Sequence, residues 1–231
     1  MLERIAAAAC PSPESLVLEI GPGRGALTEK LLKRASRVVA IELDSALVEH
    51  LRRKFAGEER LEIVHQDVLA TDLARWGSVL IAGNLPYYIT SPILEKISHS
   101  PFSRAVLLIQ KEVAQRLVAC PGSRDYGFLT VQMALRTQSR VLFEVKPSAF
   151  HPPPKVDSAA VLLQPCNPRP DISDQDAFLR FVAQCFRHKR KTIRNNLAGI
   201  YDKEKIASWP EASRRAEQLS LEEFAAMYLR P

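Results

Sequence analysis

The chain has 231 residues, 46% of them hydrophobic, which is enough apolar material for a full core and too little length for more than one large domain with a small appendage. Its net charge of +6 and pI near 9.2 fit a polyanionic partner, and no apolar run approaches a membrane span. The four cysteines, Cys10, Cys120, Cys166 and Cys185, are scattered with no CxxC or Cys/His ligand spacing, so no metal site and no disulfide framework is expected.

Leu2 to Ala9 reads as the end of a helix that starts abruptly before the first strand. Ile5 to Cys10, with Glu3 ahead of it, is too short for a signal peptide, so a cytoplasmic location is expected. Leu16 to Ile20 is a strand, followed by Gly21-Pro22-Gly23-Arg24-Gly25 and a helix over 26–34 with Leu27, Leu31 and Leu32 on one face. Glycines at 21, 23 and 25 let backbone approach a ligand closely, and helix N–H groups behind them face a carboxylate or phosphate.

A second strand, Arg37 to Ile41, ends at Glu42, 21 residues past Gly21, where nucleotide-binding folds place an acid on ribose hydroxyls. A helix over 45–55 leads to a third strand, Leu61 to His65, and then to Asp67, which suits an adenine amino group. Three successive strand ends on one edge of a parallel sheet converge on the crevice where such sheets bind ligands. The glycine pattern is GxGxG rather than GxGxxG, which argues against a dinucleotide and for an adenosine carrying a methionine tail, S-adenosylmethionine.

Ser78 to Gly83 reads as a buried strand stopping at Asn84-Leu85-Pro86-Tyr87. The Asn oxygen and a carbonyl freed by the following proline accept hydrogen bonds from one amino group, while Tyr87 offers a flat face to a ring. That is a pocket for a planar base with an exocyclic amine; the plain alternative is a strand end with an Asn-Pro turn and a core Tyr.

Thr90-Ser91-Pro92 opens a helix to Ile97 with Ser91 as its cap. A strand over 104–110, helices over 111–119 and 126–135 and a strand over 140–145 continue the α/β alternation. Phe150 and the run Pro152-Pro153-Pro154 form a stiff loop, either a connector with a core Phe or a second aromatic wall facing Tyr87. Composition shifts at Pro165 to Pro170, a linker that divides a domain over 1–165 from a helical tail over 166–231.

The tail carries twelve basic against nine acidic side chains, the longer first part twenty against seventeen. Phe178, Phe181, Val182 and Phe186 at helical spacing are core. The run Arg187, His188, Lys189, Arg190, Lys191, with Arg194 close behind, is either a solvated helix face or a set of RNA backbone contacts, sequence-blind and salt-sensitive.

Six motifs stand in one order: Glu19-Ile20-Gly21-Pro22-Gly23, Ile41-Glu42-Leu43-Asp44, Gln66-Asp67, Asn84-Leu85-Pro86-Tyr87, the run from Pro152 to Ser158, and Arg190-Lys191-Thr192-Ile193-Arg194-Asn195. Over essentially the whole chain this resembles the small-subunit ribosomal RNA adenine dimethyltransferases. The resemblance implies a Rossmann-like methyltransferase domain with a small α-helical C-terminal domain, S-adenosylmethionine as donor, and dimethylation of two adjacent adenosines near the 3′ end of small-subunit rRNA in a precursor of that subunit. It further implies a monomer.

Carried onto this sequence, Gly21, Gly23, Glu42, Leu43, Asp67, Val68 and Asn84 correspond to cofactor-binding positions. Asn84, Leu85, Pro86, Tyr87 and Phe150 correspond to the catalytic and base-stacking set, and Arg187, Lys189, Arg190, Lys191 and Arg194 are expected to meet RNA. The chain begins too late to contain the basic Gln-Asn-Phe-Leu-like segment of the family, so an N-terminally shortened member is expected. Three alternatives stand beside this reading: a large-subunit rRNA dimethylase of the antibiotic-resistance type, disfavoured by the Arg190 to Asn195 pattern; a DNA adenine methyltransferase, disfavoured by Leu85; and a ribosome-assembly factor acting by binding.

Overall fold

The computed structural model describes residues 1–13, 15–166 and 171–230. The expected linker thus lies partly outside the described residues, at 167–170. Seven strands form one sheet in the order β3-β2-β1-β4-β5-β7-β6. They are β1 (Leu16–Ile20), β2 (Arg37–Glu42), β3 (Leu61–His65), β4 (Val79–Asn84), β5 (Phe102–Gln110), β6 (Thr137–Val145) and β7 (Ser158–Pro165).

The first five in spatial order are parallel. Val38-Val39-Ala40-Ile41 in β2 and Ala105 to Ile109 in β5 are continuous buried apolar runs, as strands covered on both faces require. The parallel order stops at one edge, where β7 pairs antiparallel with both β5 and β6. Nor does the sequence reading contain β7: the strand follows the proline run directly, and Ala159 to Leu163 has no alternation to mark it.

Helices α1 (Leu2–Ala9) and α2 (Thr28–Leu32) lie on one face of the sheet, where Ile5, Ala6, Leu27 and Leu31 join Val17, Val38, Ala82, Val106 and Ala160 in a core. Helix α3 (Ser45–Lys54) starts at Asp44, whose carboxylate accepts from Ala46 N (2.8 Å) and Leu47 N (3.2 Å). Helix α4 (Thr90–His99) begins two residues earlier than a cap at Ser91 implies, and Ser91 does not cap it. The preceding turn is held instead by the Thr90 hydroxyl donating to Pro86 O at 3.1 Å.

The remaining helices are α5 (Lys111–Leu117), α6 (Phe128–Ala134), α7 (Gln175–Cys185), α8 (Ile193–Leu197), α9 (Lys203–Ala207) and α10 (Leu221–Tyr228). The chain divides into two compact units, one of residues 1–114 and 137–165, the other of 115–136 and 166–231. The second unit therefore differs from the expected tail by an inserted segment. Tyr126, Val131 and Leu135 from that segment pack with Phe178, Phe181, Val182 and Phe224 in one core. Its last helix carries a reciprocal cap, Ser220 and Glu223 each accepting from the other's backbone N–H.

Candidate active site

The order of strands makes β1 and β4 neighbours whose connections leave in opposite directions, the crevice where open α/β sheets bind ligands. Backbone at Gly21 and Gly23 has φ of 68° and 57°, a left-handed conformation that costs glycine nothing and other residues about 1 kcal/mol or more. The turn they form is fixed to the next strand end through Glu42. One carboxylate oxygen accepts from Leu43 N (2.9 Å) and Asp44 N (3.0 Å), the other from Gly23 N (3.1 Å). Three of about four acceptor directions are filled, and the remaining one suits a sugar hydroxyl. Glu42 is 8% exposed, so this carboxylate is held by charge-assisted bonds in a largely dry setting.

Next to it, Glu19 is buried at the end of β1 and accepts from the Thr28 hydroxyl at 2.6 Å. Burial pushes its carboxyl up to about 7; the Thr28 bond opposes the rise and nearby Glu42 adds to it. No role for Glu19 was legible in the sequence, where it is one more acid in a strand.

Asn84 ends β4 and is exposed, while Leu85 is buried and donates its N–H to Leu108 O at 3.0 Å. Gly83 is where the sheet forbids a side chain: an added Cβ would stand 2.8 Å from Ile20 O. The Tyr87 hydroxyl bonds Ser158 Oγ at 2.6 Å, which ties the half-buried ring to the start of β7. Ser158 is fully buried; the sequence places it at the end of the proline motif but does not show this bond, because it lies 71 residues from its partner.

These groups line one cleft of about 1000 Å³, at the upper end of ligand-pocket sizes. Gly21, Gly23, Glu42 and Leu43 form one side; Asn84, Leu85, Pro86 and Tyr87 another; and Phe150 with the three prolines after it a third. Leu43, 62% exposed, offers an apolar face to a flat ligand. Tyr88, 85% exposed at the rim, is a further aromatic of the cleft that no motif marks in the sequence. Asp67 and Val68 are not among the lining residues. Asp67 accepts from Leu69 N at 2.8 Å and so caps its own turn, while Val68 is packed beneath.

In the second unit the basic run is neither helix nor strand. Residues 187–191 form an exposed turn between α7 and α8. Buried Asn196 holds it from inside: the carboxamide nitrogen donates to Cys185 O (2.8 Å), His188 O (3.2 Å) and Lys191 O (3.3 Å), and the oxygen accepts from His188 N (3.0 Å). Lys189 donates to Arg124 O (3.0 Å), whereas Arg187, Arg190, Lys191 and Arg194 have no ion pair among the described residues.

A sheet switch point with a glycine turn, a ribose-type acid and an Asn-Leu-Pro-Tyr strand end defines a Rossmann-like enzyme of the nucleic-acid amino-methyltransferase class. Residues 1–229 match the model of the ribosomal RNA adenine dimethylase family, and the chain belongs to that family. It is 42% identical to the ribosomal RNA small subunit methyltransferase A of Geobacter metallireducens, over 98% of this chain and 89% of that one. Among solved structures, a dimethyladenosine transferase from Plasmodium falciparum aligns with a TM-score of 0.83 at 29% identity, covering 98% of this chain and 93% of that one. The 23S rRNA methyltransferase ErmE aligns with a TM-score of 0.71 at 28% identity, covering 96% and 94%.

Proposed function

We propose that the chain is an S-adenosylmethionine-dependent enzyme that dimethylates the N6 amino groups of two adjacent adenosines near the 3′ end of small-subunit rRNA. Its substrate is a precursor of the small subunit, met by a monomer in the cytoplasm. The carrying observation is that a fixed Glu42 carboxylate and the Asn84 to Tyr87 strand end share one cleft.

The donor set fits the cofactor. Gly21 and Gly23 give backbone close approach, and a Cβ added at Gly23 would meet no protein atom within 4 Å, so the space beside it is open to a ligand. Glu42 has one acceptor direction left for a ribose hydroxyl, and Leu43 gives the adenine an apolar face. When bound, S-adenosylmethionine supplies an electrophilic methyl group on a sulfonium.

An adenine amino nitrogen is a weak nucleophile because its lone pair is delocalised into the ring. The Asn84 side-chain oxygen and the Leu85 carbonyl accept its two N–H groups, favouring a pyramidal nitrogen with a localised lone pair. Tyr87, braced by Ser158, and Phe150 hold the ring between flat faces, each stack contributing roughly 1 to 3 kcal/mol. No strong base is required, since the alkylated nitrogen is acidic and loses its proton afterwards, so catalysis is positioning and electrostatics. The exposed cations of residues 187–194 meet phosphates without reading sequence.

Asn84→Ala tests this reading. Methyl transfer to unmethylated small subunits should fall about a hundredfold or more, while affinity for those subunits changes less than about twofold. Transfer at the parent rate removes Asn84 from the chemistry.

A further inference from the structure

We infer that a small cleft in the second unit, beside the basic turn, binds one unstacked nucleobase of single-stranded RNA. The inference rests on the rRNA reading above and gives that reading a second point of contact, distinct from phosphate attraction.

The cleft measures about 300 Å³ and is lined by Thr192, Arg194, Asn195, Trp209 and Ser213, with two alanines filling the gaps. That volume sits at the lower limit of ligand pockets, enough for a single ring system. It is preformed. Ile193 N donates to Arg214 O at 2.8 Å and Arg194 N to Ala212 O at 3.0 Å, so the two segments that make its walls are pinned together. Trp209 is 7% exposed and packs at 6.3 Å from the Tyr201 ring, which fixes the indole as a wall.

The side chains around it carry chemistry that the fold does not use. Arg194 and Asn195 are exposed and have no side-chain hydrogen bond or ion pair among the described residues. Arg214 and Arg230, in the same unit, are paired with Glu223 and Glu211. An Asn carboxamide offers a donor pair and an acceptor, the complement of a base edge, and a guanidinium adds donors for a base oxygen or ring nitrogen. An aromatic wall with convergent hydrogen-bonding groups is how unpaired RNA bases are held, whereas a phosphate would need only the charge. Thr192 and Arg194 continue directly from the basic turn at 187–191, so a chain whose phosphates lie on that turn brings a base to the cleft.

The chain has two tryptophans, Trp76 and Trp209, so a Trp76→Phe protein reports on Trp209 alone. Its fluorescence is titrated with a six-nucleotide oligoadenylate and with an abasic ribose-phosphate oligomer of equal length. The oligoadenylate should quench in a saturable way and the abasic oligomer should not. Asn195→Ala, and separately Ser213→Phe, which fills the mouth from an exposed position, should weaken the quench at least about tenfold. Equal quenching by the abasic oligomer, or a quench that survives Ser213→Phe, overturns the inference. So does absence of quenching by oligoadenylate in a protein that still methylates small subunits, a result that leaves the proposed function standing. Base-dependent quenching in a protein that transfers no methyl group to any ribosomal RNA supports the cleft and removes the proposed function.

Discussion

Glu19 is a cleft residue whose acidity the fold changes. In the unfolded chain its carboxyl releases a proton near 4.5, and in the folded protein burial delays release until about pH 7. Between those values the folded state binds more protons than the unfolded one, so Glu19 favours folding in acid and that contribution is lost as pH rises through 7, by up to about 3 kcal/mol. Glu19→Gln keeps the shape without the charge. It should melt above the parent protein at pH 8 and level with it at pH 5, as thermal unfolding at the two values will show; a pH-independent gap would contradict the assignment. Glu19 and Glu42 differ in legibility for a physical reason. Glu42 was readable because a fixed distance along the chain separates it from the glycine turn. Glu19 and Ser158 take their character from burial and from partners that only folding supplies, and Asp67, expected from its place after the third strand, uses an oxygen on its own turn.

At the scale of elements, the site is the meeting of two strand ends, β1 running into Gly21 and β4 into Asn84. Ile20 and Gly83 are register partners across that pair. Gly83→Ala would drive a methyl to 2.8 Å from Ile20 O, a backbone atom that cannot turn aside as a side-chain end could, so the strands must separate. Stability should fall by about 2 kcal/mol, and methyl transfer should fall further than stability alone explains, because the shift displaces the glycine turn and the Asn84 strand end together. Denaturant unfolding beside single-turnover methyl transfer separates the two; full activity in the folded variant would contradict the idea. Strands β1 to β4 were legible because each runs into punctuation, a glycine turn, an acid or the Asn-Leu-Pro turn. β7 was not, since a buried apolar run after prolines carries no period and its partners β5 and β6 are set by long-range pairing.

At the scale of the molecule, a Rossmann-like sheet belongs to the same chain as a unit that presents cations on a turn. That second unit is discontinuous because the segment 115–136 lends it Tyr126, Val131 and Leu135, a debt invisible to a composition boundary at Pro165. Asn196 braces the turn from inside, so Asn196→Ala takes hydrogen bonds from His188 N and from the Cys185 and Lys191 carbonyls and should cost about 2 kcal/mol. It should also weaken RNA binding and flatten its dependence on salt, since fewer cations meet phosphates at once. Filter binding over a range of salt concentrations checks this, and an unchanged slope would place RNA elsewhere. The central claim is tested most directly by transfer of labelled methyl groups from S-adenosylmethionine to unmethylated small subunits, with the modified positions mapped on the RNA. The account predicts two methyl groups on each of two adjacent adenosines near the 3′ end. Label confined to large-subunit RNA, or none on either, would contradict it.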